Sequence, residues 1–153
     1  MTARILVLNG PNLNMLGTRE PEIYGRESLA DIEAACVARG RDLGLEVEFR
    51  QSNSEGELVG WVQDARGVFD ALIINAAAYT HTSVAILDAL RAFDAPIIEV
   101  HITNIHQRDE FRRHSYVAMV ARAAIAGCGP YGYELALDAA ARMLVPADQA
   151  PHG

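Results

Sequence analysis

Tyr24 stands between two arginines, Arg19 and Arg26, in the run Gly17-Thr18-Arg19-Glu20-Pro21-Glu22-Ile23-Tyr24-Gly25-Arg26. Pro21 and the flanking glycines exclude regular helix or strand, so the run reads as a loop that can close over a ligand. A phenol beside a guanidinium is a candidate base. Free tyrosine, with a pKa of about 10, is only about 0.1% ionised at neutral pH. A unit charge at about 4 Å, in an effective dielectric near 20, is worth roughly 4 kcal/mol, enough to lower such a pKa by about three. On these residues alone, a solvated surface turn remains the plainer alternative.

Further polar residues gather at the ends of apolar runs. Asn9-Gly10-Pro11-Asn12 follows Ile5-Leu6-Val7-Leu8, Asn75 follows Ala71-Leu72-Ile73-Ile74, and His101-Ile102-Thr103-Asn104 follows Pro96-Ile97-Ile98-Glu99-Val100. Those runs, with Val47-Glu48-Phe49 and a fifth within Tyr116 to Ile125, read as short strands. Helical periods fall between and after them, over Leu29 to Leu43, Glu55 to Phe69, Ser83 to Phe93 and Gly132 to Leu144. Five strand and helix units in one domain, residues 1–145, predict a mostly parallel sheet covered on both faces. The expected fold is α/β, flavodoxin-like and doubly wound, with three layers and strand order 2-1-3-4-5. Residues 146–153 read as a flexible tail. In such sheets ligands bind past the carboxyl ends of the strands, where the polar residues lie.

The residue types narrow the chemistry. The loop after the first strand carries neither a glycine-spaced phosphate cradle nor a Walker lysine, which weakens nucleotide and flavin readings. His101, His106 and His114 lack the spacing of a zinc pair, and no serine sits in a nucleophile elbow. Chemistry without metal or cofactor is therefore expected. Half of the 153 residues are hydrophobic, enough for a core without staples, and Cys36 and Cys128 read as reduced packing residues of a cytoplasmic protein. The N-terminal apolar run is too short for a signal or membrane segment. A formal charge of -7 argues against nucleic acid as a partner.

Five ordered blocks give the chain a specific resemblance. Asn9-Gly10-Pro11-Asn12-Leu13-Asn14, Gly17-Thr18-Arg19-Glu20-Pro21 with Tyr24-Gly25, Gln51-Ser52-Asn53, Asn75 with Thr80-His81-Thr82-Ser83, and Glu99-Val100-His101 with Phe111-Arg112 resemble the type II 3-dehydroquinate dehydratases. The resemblance runs from about Leu6 to Leu137. It implies a shikimate-pathway lyase that removes water from 3-dehydroquinate by anti elimination through an enolate, giving 3-dehydroshikimate, and that commonly assembles as a dodecamer, a tetramer of trimers.

The resemblance also implies roles. Tyr24 is the base, activated by Arg19 with help from Arg108. His101, oriented by Glu99, is the acid on the opposite face, and Asn12 positions a water or donor against the enolate oxygen. The substrate carboxylate is expected against the N–H groups of Ile102 and Thr103 and the Asn75 side chain, with Arg112 and His81 on ring hydroxyls. Asp88 follows His81 by seven residues on a predicted helix, about 10.5 Å along one face, too far to share a small ligand. It is expected to serve a neighbouring subunit. Ala76-Ala77-Ala78 departs from the usual Pro-Gly-Ala, with Ala76 expected to be extended; Thr103, Gln107 and Ala123 also replace commoner residues. A flavodoxin-like binding module and a flavin electron carrier are the rival readings.

Overall fold

Every residue of Ile5-Leu6-Val7-Leu8 is fully buried, which only a strand covered on both faces allows. The computed structural model describes residues 2–18, 22 and 26–145. Its strands β1 (Ala3–Asn9), β2 (Leu45–Gln51), β3 (Ala71–Asn75), β4 (Ile97–His101) and β5 (Ala123–Ala126) form one parallel sheet in the order β2-β1-β3-β4-β5. The expected doubly wound topology is present. Arg19 and Tyr24 lie outside the described residues, as does the segment 146–153.

Alternation along the strands divides the core in two. Ile5, Val7, Ile73, Ile98 and Val100 pack on one face with Ile32 and Cys36 of α1 (Leu29–Leu43) and Tyr133 and Leu137 of α4 (Tyr131–Met143). Leu6, Leu8, Leu72, Ile74 and Ile97 pack on the other with Leu58 and Val62 of α2 (Glu55–Ala65) and Ile86 and Leu90 of α3 (Val84–Arg91). Each such side chain contributes about 1.5–3 kcal/mol by leaving water.

Serines start three of the helices. Ser28 makes a capping box with Asp31, and the Oγ atoms of Ser54 and Ser83 accept the N–H groups of Glu57 and Ile86. Helix α2 stops at Ala65, earlier than the expected Phe69, because Arg66 turns extended and Gly67 takes a positive φ of 75°. Cys36 is buried, and burial together with Glu134 and Glu33 pushes its thiol up to about 12. Cys128 is exposed on the turn after β5, which corrects its reading as a packing residue.

Two backbone features shape the end of the sheet where the site lies. A Cβ on Gly10 would lie 2.3 Å from the Ala76 carbonyl oxygen, so only glycine lets the loops after β1 and β3 approach this closely. Ala76 is helical, φ -76° and ψ -1°, not extended as expected, and Ala77 is left-handed with φ 52°. The Ala77 N–H donates to Asn75 Oδ1 at 3.1 Å, holding this turn against the strand end. An alanine in this region carries strain that glycine does not. Ala77→Gly is therefore expected to stabilise the fold by about 0.5–1 kcal/mol, raising Tm by about 2–4 °C in a thermal melt.

Candidate active site

β1, β3 and β4 all end at one edge of the sheet, and their polar terminal residues meet there. A cavity of about 260 Å³ is lined by Asn12, Asn75, His81, His101, Ile102, Thr103, Arg108 and Arg112, with Asp109 and apolar walls from Leu13, Met15, Leu16 and Ile105. Eight of the twelve residues expected at the site thus border one cavity. Two arginines against one aspartate suit it to a small anion.

Glu99 and His101 sit two residues apart on β4 and so point to the same face. His101 Nε2 lies 2.6 Å from Glu99 Oε2, and both residues are buried, 5% and 2% exposed. Ser115 Oγ donates to the same carboxylate oxygen at 2.5 Å. Burial pushes the Glu99 carboxyl up, but hydrogen bonds from His101 and Ser115, with the two nearby histidines, more than offset it and leave it below its usual range. Its pairing therefore stabilises the fold above the ordinary carboxylate range and loses that effect as pH falls through the folded value. An ionised Glu99 can only accept, so Nε2 carries the hydrogen and Nδ1 is the nitrogen left for a ligand.

His81 ends the 3-10 turn Ala77–His81 that follows β3. Its Nδ1–H donates to the His114 carbonyl at 2.7 Å, which leaves Nε2 as an acceptor in the neutral ring. Burial lowers the His81 pKa, outweighing the bond to His114, and the charges of His101, Arg112 and Arg108 lower it further. The neutral ring is favoured, ready to accept from a hydroxyl. Stability tied to it is present above the ordinary imidazole range and falls as pH drops below that range.

A buried amide and phenol network fixes Asn75. Its Nδ2 donates to Tyr133 Oη at 2.9 Å, and Tyr133 in turn donates to Asn9 Oδ1 at 2.6 Å. Asn9 Nδ2 donates to the Arg50 carbonyl at 3.1 Å. With Oδ1 taken by Ala77, the remaining Nδ2 hydrogen is the group Asn75 can offer to the cavity. Tyr133 and Asn9 were not among the expected residues. Asn9 shared the strand-end position that marked Asn75, whereas Tyr133 is 124 residues from its partner and carried no local signal.

Asn12 is left-handed, φ 69°, and its side chain makes no cap hydrogen bond. Its N–H donates to Asn53 Oδ1 at 3.0 Å, and Gln51 Nε2 donates to that same oxygen and to the Gly10 carbonyl. The Gln51-Ser52-Asn53 block thus braces the loop that presents Asn12. On the far wall, the N–H groups of Ile102 and Thr103 form no hydrogen bond among the described residues. The carbonyls of His101 and Ile102 accept from Gly127 and Gly129, which fixes the backbone just past β4. Free N–H groups held this way make an anion cradle.

Arg112 lies 3.7 Å from Asp109 through Nε, with its guanidinium 5.0 Å over the Phe111 ring. That Nε is buried and has no hydrogen-bond partner among the described residues, a group poised for a ligand oxygen. Arg108 lines the same cavity.

Asp88 is placed elsewhere. It is exposed on α3, 3.9 Å from Arg91, and does not line the cavity. His81 is not on that helix: Thr82 breaks the backbone and Ser83 caps α3 afresh, so the expectation of one shared helical face is corrected. Among the described residues no group of three or more His, Cys, Asp or Glu side chains is arranged to hold a metal ion, and no helix is long and apolar enough to cross a membrane.

The family model for class II dehydroquinases matches residues 3–141. A 3-dehydroquinate dehydratase of Streptomyces avermitilis is 57% identical over 142 residues, covering 92% of this chain and 89% of its own. A 3-dehydroquinate dehydratase 2 of Pseudomonas aeruginosa is 54% identical over 138 residues, covering 90% and 93%. The crystal structure of the type II dehydroquinase of Propionibacterium acnes superposes with a TM-score of 0.89 at 50% identity, over 92% of this chain and 97% of that one. With a family model matched over residues 3–141, relatives more than half identical and five parallel strands in the order β2-β1-β3-β4-β5, the chain belongs to the class II dehydroquinase family.

Proposed function

We propose that this protein is a hydro-lyase that converts 3-dehydroquinate to 3-dehydroshikimate in the shikimate pathway. The observation that carries the reading is the buried Glu99 and His101 pair at the wall of an anion-suited cavity, in a chain more than half identical to enzymes named for this reaction. The sequence contains no lysine, so a lysine imine on the ring ketone is not available. The ketone itself must take up the electrons, and the intermediate is an enolate.

Tyr24, lowered in pKa by Arg19 and Arg108, takes a proton from the carbon between the ketone and C1, and the electron pair moves to the ketone oxygen. Asn12 places a donor or water against that oxygen, where preorganised donors act most strongly. The enolate then collapses and the C1–O bond breaks. His101 acts as the imidazolium, its Nε2–H on Glu99, and gives its Nδ1 proton to the departing hydroxyl, which leaves as water; exchange with solvent restores both groups. A base and an acid of different type, on opposite faces of the ring, suit an anti elimination.

Recognition in this reading uses the Ile102 and Thr103 N–H groups and Asn75 for the carboxylate, with His81 Nε2 accepting from one hydroxyl and Arg112 donating to another. Arg112→Ala removes a charged donor, worth about 1.5–3 kcal/mol. KM is expected to rise roughly 10–100-fold with kcat little changed, read from steady-state kinetics.

Asp88, exposed and outside its own chain's cavity, fits a role at a neighbouring subunit's site in a dodecamer, a tetramer of trimers; light scattering reads that mass directly. The acidic chain suits a cytoplasmic enzyme with no nucleic acid or membrane partner. The activity is tested by adding 3-dehydroquinate to pure protein and following the absorbance of the conjugated enone. A catalytic rise is expected, whereas binding without enone formation would leave a small-acid binding module.

A further inference from the structure

We infer that Ser115 is a positioning residue for the acid of this site, acting through Glu99. The inference rests on the dehydratase reading above and assigns a part to a residue outside the motif blocks. Ser115 Oγ lies 2.5 Å from Glu99 Oε2, the same oxygen that faces His101 Nε2 at 2.6 Å.

Among the described residues the hydrogen on Ser115 Oγ is directed at the Glu99 carboxylate, which can only accept. The Ala118 N–H donates to Oγ at 3.0 Å and occupies an acceptor site, so the hydroxyl hydrogen is directed at the carboxylate. Glu99 is 2% exposed, and hydrogen bonds to its charged form replace the water it has lost. With two donors on one oxygen the carboxylate is held both ionised and in a single orientation. That orientation keeps the hydrogen of His101 on Nε2 and the ring turned so that Nδ1 serves the cavity. The titratable groups acting on Glu99 are His101 on its own strand and His81 on the turn after β3.

The neighbours of Ser115 tie the same segment to the other histidine. The His114 carbonyl accepts from His81 Nδ1, and the Tyr116 N–H donates to the Thr80 carbonyl at 2.9 Å. Three successive residues, His114, Ser115 and Tyr116, therefore brace both histidines of the cavity from behind. Displacing the segment moves the acid and the hydroxyl acceptor together.

Ser115→Ala removes the hydroxyl, and Ser115→Thr keeps it. For Ser115→Ala, kcat is expected to fall roughly tenfold, as for a lost hydrogen bond to a charged group, with KM within about twofold. The acid limb of the kcat profile should move to higher pH, because Glu99 then ionises less readily, and Ser115→Thr should restore both rate and profile. Carbon-13 NMR titration of the Glu99 carboxyl reads the same effect without turnover, so it still decides the inference if the protein proves not to be a dehydratase. An upward move of that midpoint in Ser115→Ala alone is the expected result. A Glu99 titration and pH profile that superpose on those of the unaltered protein, with only Tm lowered by the lost Ala118 bond, would overturn it.

Discussion

His101→Ala is expected to lower kcat by about 10²–10⁴-fold, the range for losing a positioned general acid. The loss should fall on the second half of the reaction. Without the imidazole the base can still take its proton, so exchange of the substrate's α hydrogen in heavy water is expected to persist while enone formation stops. Deleting the ring also leaves the Glu99 carboxylate, 2% exposed, with Ser115 as its remaining donor. A buried charge stripped of a partner costs several kcal/mol, so Tm is expected to fall as well. His101→Gln keeps a donor near Glu99 and separates the two effects: its fold should be firmer than that of His101→Ala, and its turnover equally impaired. Normal enone formation by either variant would remove His101 from the mechanism.

Tyr24→Phe is expected to lower kcat by a comparable factor with KM nearly unchanged, since the ring stays and only the proton acceptor goes. Here exchange should stop along with turnover, because no enolate forms. The contrast is the informative part. Two variants equal in turnover but opposite in exchange place the base before the acid, which a structural defect in either one could not imitate. Both readouts are steady-state rates and proton NMR of the recovered substrate. Exchange persisting at the full rate in Tyr24→Phe would show that another group takes the proton.

Much of this arrangement was legible in the chain because parallel β-structure announces itself. Apolar runs such as Ile5 to Leu8 and Ala71 to Ile74 are continuous because both sheet faces are covered, and in an open parallel sheet the residue after each run lands at the ligand edge. Asn12, Asn75 and His101 followed from that rule and from the motif blocks. The pairing of Glu99 with His101 came from the family resemblance, and the structure brings the two to 2.6 Å.

What could not be read depends on contacts distant in sequence or on single dihedral angles. Tyr133 reaches Asn9 and Asn75 only because α4 lies over the sheet, and nothing in the pattern around it differs from an ordinary core aromatic. Ser115 sits in an irregular stretch whose course is set by the Tyr116 bond to Thr80, not by periodicity. The left-handed Ala77 follows from the turn between Asn75 and His81, which an alanine's own preference opposes. The seven-residue spacing of His81 and Asp88 looked helical, but the Ser83 cap starts the helix after His81 and sends the two side chains different ways.

The central claim is that proton and hydroxyl leave from opposite faces of the ring by way of an enolate. It is tested most directly with 3-dehydroquinate deuterated stereospecifically at the carbon that loses its proton, the label on the face opposite the C1 hydroxyl, and mass spectrometry of the product. Complete loss of the label is the result this account predicts; a product that retains it would mean that both groups depart from one face, contradicting the assignment of Tyr24 and His101.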